Sequence, residues 1–370
     1  MPMSGRTIDR LLRAELVELP PAYFAMVMAT GIVSIAAYGI GPELVGRLLF
    51  YLNLLFYGVL VLLHVCRAIV FPRRCFADMA DAGAGPGYFT WIAATAVVGS
   101  QCVLLEQAYR AAAVLFVLAT VLWLILTYAV FTALAIREHK PTLAEGINGG
   151  WLLAVVAMQS LAVLAIHLAG DIGQPVRVEL NFAALALWLA GGMLYGWLGS
   201  LIFYRYFFFA LKPADLVPTY WINMGAMAIS TLAGSLLIAH SSAHADAPYL
   251  ESLRPFLEGG TLLYWAGGTW WLPLLVILGI WKHVIRRYPL TYHPLYWGLV
   301  FPLGMYAVAT EHMSRSMHLA FLRPVPIIFL YIALLAWLVT SVGLAFAIAG
   351  RLRGRDVVAQ QQTPTDGRHR

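Results

Sequence analysis

Tyr296-Trp297-Gly298-Leu299-Val300-Phe301-Pro302-Leu303-Gly304-Met305-Tyr306 is apolar throughout, yet it carries two glycines and a proline that a plain spanning helix does not need. Proline lacks a backbone donor and bends a helix. Phe301 and Gly304 lie three residues apart and share one helix face. A bulky ring beside a bend at Pro302, with a bare glycine one turn on, suits a helix that narrows a passage at one level. The stretch therefore reads as a membrane span with a task beyond anchoring.

The composition agrees. Of 370 residues, 61% are hydrophobic and 11% charged, and mean hydropathy is +0.77. Soluble domains carry about a quarter charged residues, so the chain reads as an all-α polytopic membrane protein. Ten apolar runs stand out, over 21–40, 46–71, 88–107, 110–136, 147–169, 178–209, 218–240, 260–285, 293–313 and 324–350. Each is close to or above the ~20 residues that cross a bilayer core. Residues 1–19 mix Arg6, Arg10 and Arg13 with Leu11, Leu12 and Leu16, a pattern for an amphipathic surface helix. The pore-domain span is 20–350, and 351–370 is a polar, basic tail. No cleaved signal peptide is read.

Charge sets an orientation. With the N-terminus inside, 18 of the 24 lysines and arginines fall in inner segments and 6 in outer ones. That bias favours an even number of spans with both termini cytoplasmic. The net charge of +6 also adds a long-range field that favours anions. Nucleic-acid binding is not expected, because the basic residues are scattered between apolar runs.

A repeat runs through the odd-numbered spans. Tyr23, Tyr88, Trp151, Tyr220 and Tyr296 stand near their starts, at intervals of 65, 63, 69 and 76 residues. Eight residues on come Gly31, Ala96, Gln159, Ala228 and Gly304. The pattern predicts five helical hairpins in parallel repeat around a central pore. The odd spans also hold Thr30, Ser34, Thr95, Ser100, Gln101, Gln159, Ser160, Asn223, Ser230 and Thr231, whereas the even spans are richer in leucine and tryptophan. Five polar helices around a central path, with five greasy ones outside, is the arrangement expected. Small residues that merely allow close helix packing are the other reading.

Three cysteines, Cys66, Cys75 and Cys102, give neither metal-ligand spacing nor a disulfide framework. His64, His167, His240, His283, His293, His312 and His318 form no His-x-x-x-His or His-Glu-x-x-His pair, so no metal or haem site is expected. No nucleophile elbow or phosphate loop occurs. The expectation is a non-enzyme without cofactors.

Four motifs in order resemble one known family. They are Pro21-Ala22-Tyr23-Phe24-Ala25-Met26-Val27-Met28-Ala29-Thr30-Gly31-Ile32, Tyr204-Arg205, Tyr220-Trp221-Ile222-Asn223-Met224-Gly225-Ala226 and Trp297-Gly298-Leu299-Val300-Phe301-Pro302-Leu303-Gly304. Over residues 20–350 the chain resembles the tellurite-resistance/dicarboxylate transporter family. That family includes bacterial tellurite-resistance membrane proteins, fungal malate and sulfite transporters, and plant slow-type anion channels. The resemblance implies ten helices in five hairpins, a pore lined by the odd helices, and a homotrimer in a bacterial inner membrane. It implies that a ninth-helix phenylalanine, here Phe301, occludes the pore. Taken at five residues past each repeat aromatic, its counterparts are Met28, Ala93, Val156 and Gly225. Gly31, Gln159 and Gly304 are expected to line the same pore.

No acidic or basic residue lies at the centre of an odd span, since Glu106 and Glu311 sit at outer ends and Glu145 precedes the fifth. Anions would be drawn weakly, through hydroxyls, freed backbone N–H groups and the basic field. Arg205 has two readings: attraction of anions at the inner mouth, or an anchor that snorkels to the headgroups. The rival function is a proton-coupled carrier of C4-dicarboxylates such as malate, or of tellurite or sulfite, using Glu311 or His312.

Overall fold

The computed structural model describes residues 16–243 and 248–352. Most of the expected surface helix over 1–19, up to residue 15, and nearly all of the tail from 351 lie outside these residues. No strand occurs among the described residues. Ten long helices stand among the described residues: α1 (Ala25–Ile40), α2 (Glu43–Val70), α3 (Phe89–Glu106), α4 (Tyr109–Ala135), α5 (Leu153–Ala169), α6 (Val176–Phe208), α7 (Ile222–Ala243), α8 (Arg254–Ile280), α9 (Trp297–Ser316) and α10 (Pro324–Leu352).

Nine helices among the described residues are long and apolar enough to cross a membrane. The exception is α9, whose C-terminal end carries Glu311, His312, Ser314 and Arg315. It nevertheless takes its place in the same ring as the others. The helix limits follow the apolar runs closely. The widest departures are at α5, which starts late because a 3₁₀ turn over Gly149–Leu152 precedes it, and at α8, which starts early at Arg254, where Arg254 and Glu258 pair within the helix at 2.9 Å.

The odd-numbered helices form a closed ring. Helix α1 packs on α3, α3 on α5, α5 on α7, α7 on α9, and α9 back on α1. Each even-numbered helix packs outside against its own hairpin partner. In the four odd helices that qualify as spans, 78–89% of the spanning window is buried, against 17–39% in the five even ones. Exposed apolar side chains such as Leu55, Leu62, Trp197, Trp270, Leu335 and Phe346 therefore coat the even helices, as a lipid-facing surface requires.

Each odd helix starts through one tight 3₁₀ turn: Pro21–Phe24, Gly85–Tyr88, Gly149–Leu152, Pro218–Trp221 and Pro294–Tyr296. These turns hold the five repeat aromatics. Four carry a proline at their start, where the missing N–H costs nothing. His293 caps the last turn by accepting from the Leu295 N–H at 3.2 Å. The five turns also touch in a closed circle, a collar at the N-terminal end of the ring. The collar is tight. A Cβ on Gly149 would lie 2.2 Å from the Thr219 carbonyl oxygen, and one on Gly87 would lie 2.9 Å from the Ala22 nitrogen.

At the same end, basic side chains pin four hairpins among the described residues. Each pin stands at the end of an even helix and donates to a carbonyl ahead of its own odd helix. Arg67 reaches Val17 O at 3.0 Å, and Arg137 reaches Ala80 O at 3.1 Å. Arg205 reaches Ala144 O at 2.7 Å, and Lys282 reaches Leu216 O at 2.8 Å. Residues grouped by charge bias as cytoplasmic loop cations thus also make specific bonds.

Candidate functional site

The ring encloses a narrow axial cavity of about 20 Å³, room for roughly one water. All five odd helices line it. Its first layer is Ile32, Val97, Ser160, Ile229 and Met305. Its second is Ile35, Ser100, Val163, Leu232 and Val308. Leu104, His167 and His312 complete the C-terminal end.

These positions follow one helical register. On each helix the first layer stands four residues past Met28, Ala93, Val156, Gly225 or Phe301, and the second stands seven past. Steps of four and seven keep to one face. The five residues of the Phe301 layer therefore continue the axial face about 6 Å nearer the collar. The cavity stops short of them. Met28, Ala93, Val156 and Phe301 are fully buried, and Gly225 is buried as well. Phe301 and Met28 are the bulky members of the layer.

Helix α9 runs unbroken through Pro302. The proline removes the N–H that would bond the Gly298 carbonyl. Its ring also fills a notch in α7, because a Cβ on Gly225 would lie 2.7 Å from Pro302 Cγ. Gly225 thus lets α7 and α9 close up beside Phe301.

The three residues at the eight-residue position turn elsewhere. A Cβ on Gly31 would meet Val97, Asn53 and Gln101 of neighbouring helices. One on Gly304 would meet Ile32 and Val33 of α1. Gln159 donates to the Trp188 carbonyl of α6 at 3.1 Å. None of the three lines the cavity. In this conformation they are helix-contact positions.

Several polar groups of the odd helices likewise face outward. Thr30 accepts from the Trp337 indole and Thr310 from the Trp265 indole, both at 3.0 Å. Thr95 bonds the Tyr57 hydroxyl at 3.0 Å, and Gln101 accepts from Asn53 at 2.7 Å. In hydrocarbon every indole N–H and hydroxyl needs a partner inside the protein. These side chains fasten the outer helices to the ring.

The polar groups that line the cavity are Ser100, Ser160, His167 and His312. Ser100 Oγ donates to Ala96 O at 3.1 Å. Ser160 is only 2% exposed, and its hydroxyl has no partner in the protein. From the sequence, His312 stands out only as a coupling group of the rival carrier, and His167 does not stand out. Extending the Phe301 register by eleven residues on α9, and the Val156 register by eleven on α5, would have found both.

Arg205 is buried and fully engaged. It bonds Ala144 O at 2.7 Å, Ala210 O at 3.2 Å and the Asp215 carboxylate at 3.2 Å. It lies at the N-terminal end of the ring as a pin, with its charge neutralised by Asp215. Among the described residues, no group of three or more histidine, cysteine or acidic side chains could hold a metal ion.

A ring of five helical hairpins around one axial cavity, coated by apolar helices, defines a polytopic helical membrane protein. Residues 18–345 match the voltage-dependent anion channel family (SLAC1), and the chain belongs to it. This is the family to which the four motifs point, whose members are anion channels and transporters. An uncharacterized membrane protein of Mycobacterium tuberculosis is 39% identical over 159 residues, covering 43% of this chain and 79% of that protein. Two uncharacterized transporters of Methanocaldococcus jannaschii are 23% and 25% identical over 303 and 306 residues. They cover 78% and 79% of this chain, and 83% and 82% of their own.

Proposed function

We propose that the protein passes small anions along the axis of its five odd-numbered helices, and that Phe301 closes this path in the conformation described. The observation that carries the reading is the shared register. Five helices present one face to one cavity, and the cavity ends one turn short of a layer whose bulkiest member is Phe301. Met28, Ala93, Val156 and Gly225 complete that layer. A small cavity with hydroxyls and no fixed carboxylate suits weak binding, which lets an ion leave as readily as it arrives.

Ten membrane spans, with α9 as the tenth, complete this reading. So do both termini in the cytoplasm, a bacterial inner membrane and a homotrimer with one path per subunit. The charge bias supports the orientation, and family membership supports the assembly. Currents in planar bilayers test the central claim, comparing wild type with Phe301→Ala in chloride, nitrate and malate. Larger, anion-selective currents in the variant are expected. Malate uptake that needs a proton gradient, without current in either protein, would replace the channel with a carrier.

A further inference from the structure

Two imidazoles line the C-terminal end of the cavity, one from α5 and one from α9. They stand about 16 Å along the axis from the Phe301 layer. Both are half-buried, so water reaches them while the surrounding protein screens them from bulk solvent. Neither ring hydrogen-bonds a protein group among the described residues. Between them and the plug lies the unpartnered hydroxyl of Ser160, 2% exposed and lining the same cavity. A free hydroxyl donor and two rings that become N–H donors at both nitrogens all face one enclosed space.

From this placement we infer that His167, His312 and Ser160 form a binding site for a small monovalent anion at the C-terminal mouth of the path, charged by protonation from that side. The inference rests on the axial path proposed above. Imidazole is the side chain whose charge ordinarily changes between pH 5 and 8. A protonated ring offers the anion a charge-assisted hydrogen bond. A cavity with room for about one water excludes a C4-dicarboxylate in this conformation. Ser160 would receive the anion next, on its way to Phe301.

The other charged groups nearby do not supply this function. Glu311 is engaged by Arg315 at 2.6 Å, beside His312 on α9. Glu106 at the end of α3 turns to Arg47 and Tyr51 of α2, at 3.3 and 3.1 Å. His240 of α7 lies within electrostatic reach of His167 but outside the cavity lining. Asp171 is exposed on the turn after α5. No carboxylate lines the cavity, so nothing inside it neutralises the protonated pair.

The test uses the full chain with Phe301→Ala, in planar bilayers with chloride on both sides. The pH is lowered in steps from 7.5 to 4 on one side at a time. Current is expected to rise roughly tenfold when acid is added at the C-terminal mouth, as charged clefts raise ion association, and to stay level from the other side. His167→Gln/His312→Gln in the same background should show no such rise, whatever current it carries at pH 7.5. Each single variant should keep part of the rise and report on its own ring if the double variant does not fold. An undiminished rise in the histidine variants overturns the site while leaving the path intact. A Phe301→Ala protein that conducts at no pH in this range removes the path, and the site with it.

Discussion

Arg205→Gln separates two roles that one arginine at the end of a membrane helix could play. In the structure the guanidinium makes three bonds, to Ala144 O, Ala210 O and Asp215. Its side chain is 6% exposed, and that of Asp215 is 36% exposed. Glutamine is too short to span these acceptors and brings no charge. Removing one member of a buried ion pair costs about 3–5 kcal/mol. Asp215 keeps part of its hydration, so the low end, about 3 kcal/mol, is the expected loss. For a chain of this size that loss lowers the midpoint of thermal unfolding by on the order of 5 °C. The assay is thermal unfolding in detergent at one fixed scan rate, paired with anion flux per folded molecule in vesicles. A lower midpoint with unchanged flux per folded protein is expected. An unshifted midpoint with reduced flux would refute the pin and return Arg205 to anion attraction at the mouth.

Three further substitutions probe the ring. Gly149→Ala places a methyl 2.2 Å from the Thr219 carbonyl. It should cost about 1–3 kcal/mol by overpacking the collar, read as a loss of folded protein on size-exclusion chromatography. Trp188→Phe removes the indole bond to Ser230 O, 2.8 Å long and buried. About 1 kcal/mol of stability should go with it, measured as a fall in unfolding midpoint. Gly225→Ala drives a methyl against the Pro302 ring, 2.7 Å from Cγ. Flux and stability should both change, and Pro302→Ala should offset much of the effect, a coupling that a double-mutant cycle measures directly.

Much of this architecture was legible in the sequence. The apolar runs mark the helices because a lipid-facing helix has few other ways to be written. The five aromatics mark the hairpins because each sits in a 3₁₀ turn that starts an odd helix. The direction in which a small or polar residue turns was not legible. Gly31, Gln159 and Gly304 share helices with the axial face but point to neighbours, and hydropathy along one helix carries no record of what stands beside it. Thr30 and Thr310 look like lining until their indole partners, from Trp337 and Trp265, come from distant parts of the chain. Arg205 was ambiguous for the same reason, since its three acceptors are loop groups with no apolar signature. The pairing of His167 with His312 was not legible because each stands alone in its own helix and the pair exists only across the ring.

The pins have a consequence for the order of synthesis. Each joins the end of one hairpin to the segment just ahead of that same hairpin. Arg67, Arg137, Arg205 and Lys282 therefore become able to lock their hairpins as soon as each second helix has left the ribosome, before the next hairpin exists. The circle itself closes only when α9 meets α1, between residues made near the two ends of translation. A chain arrested before α9 would sit in the membrane without a hole for ions to leak through.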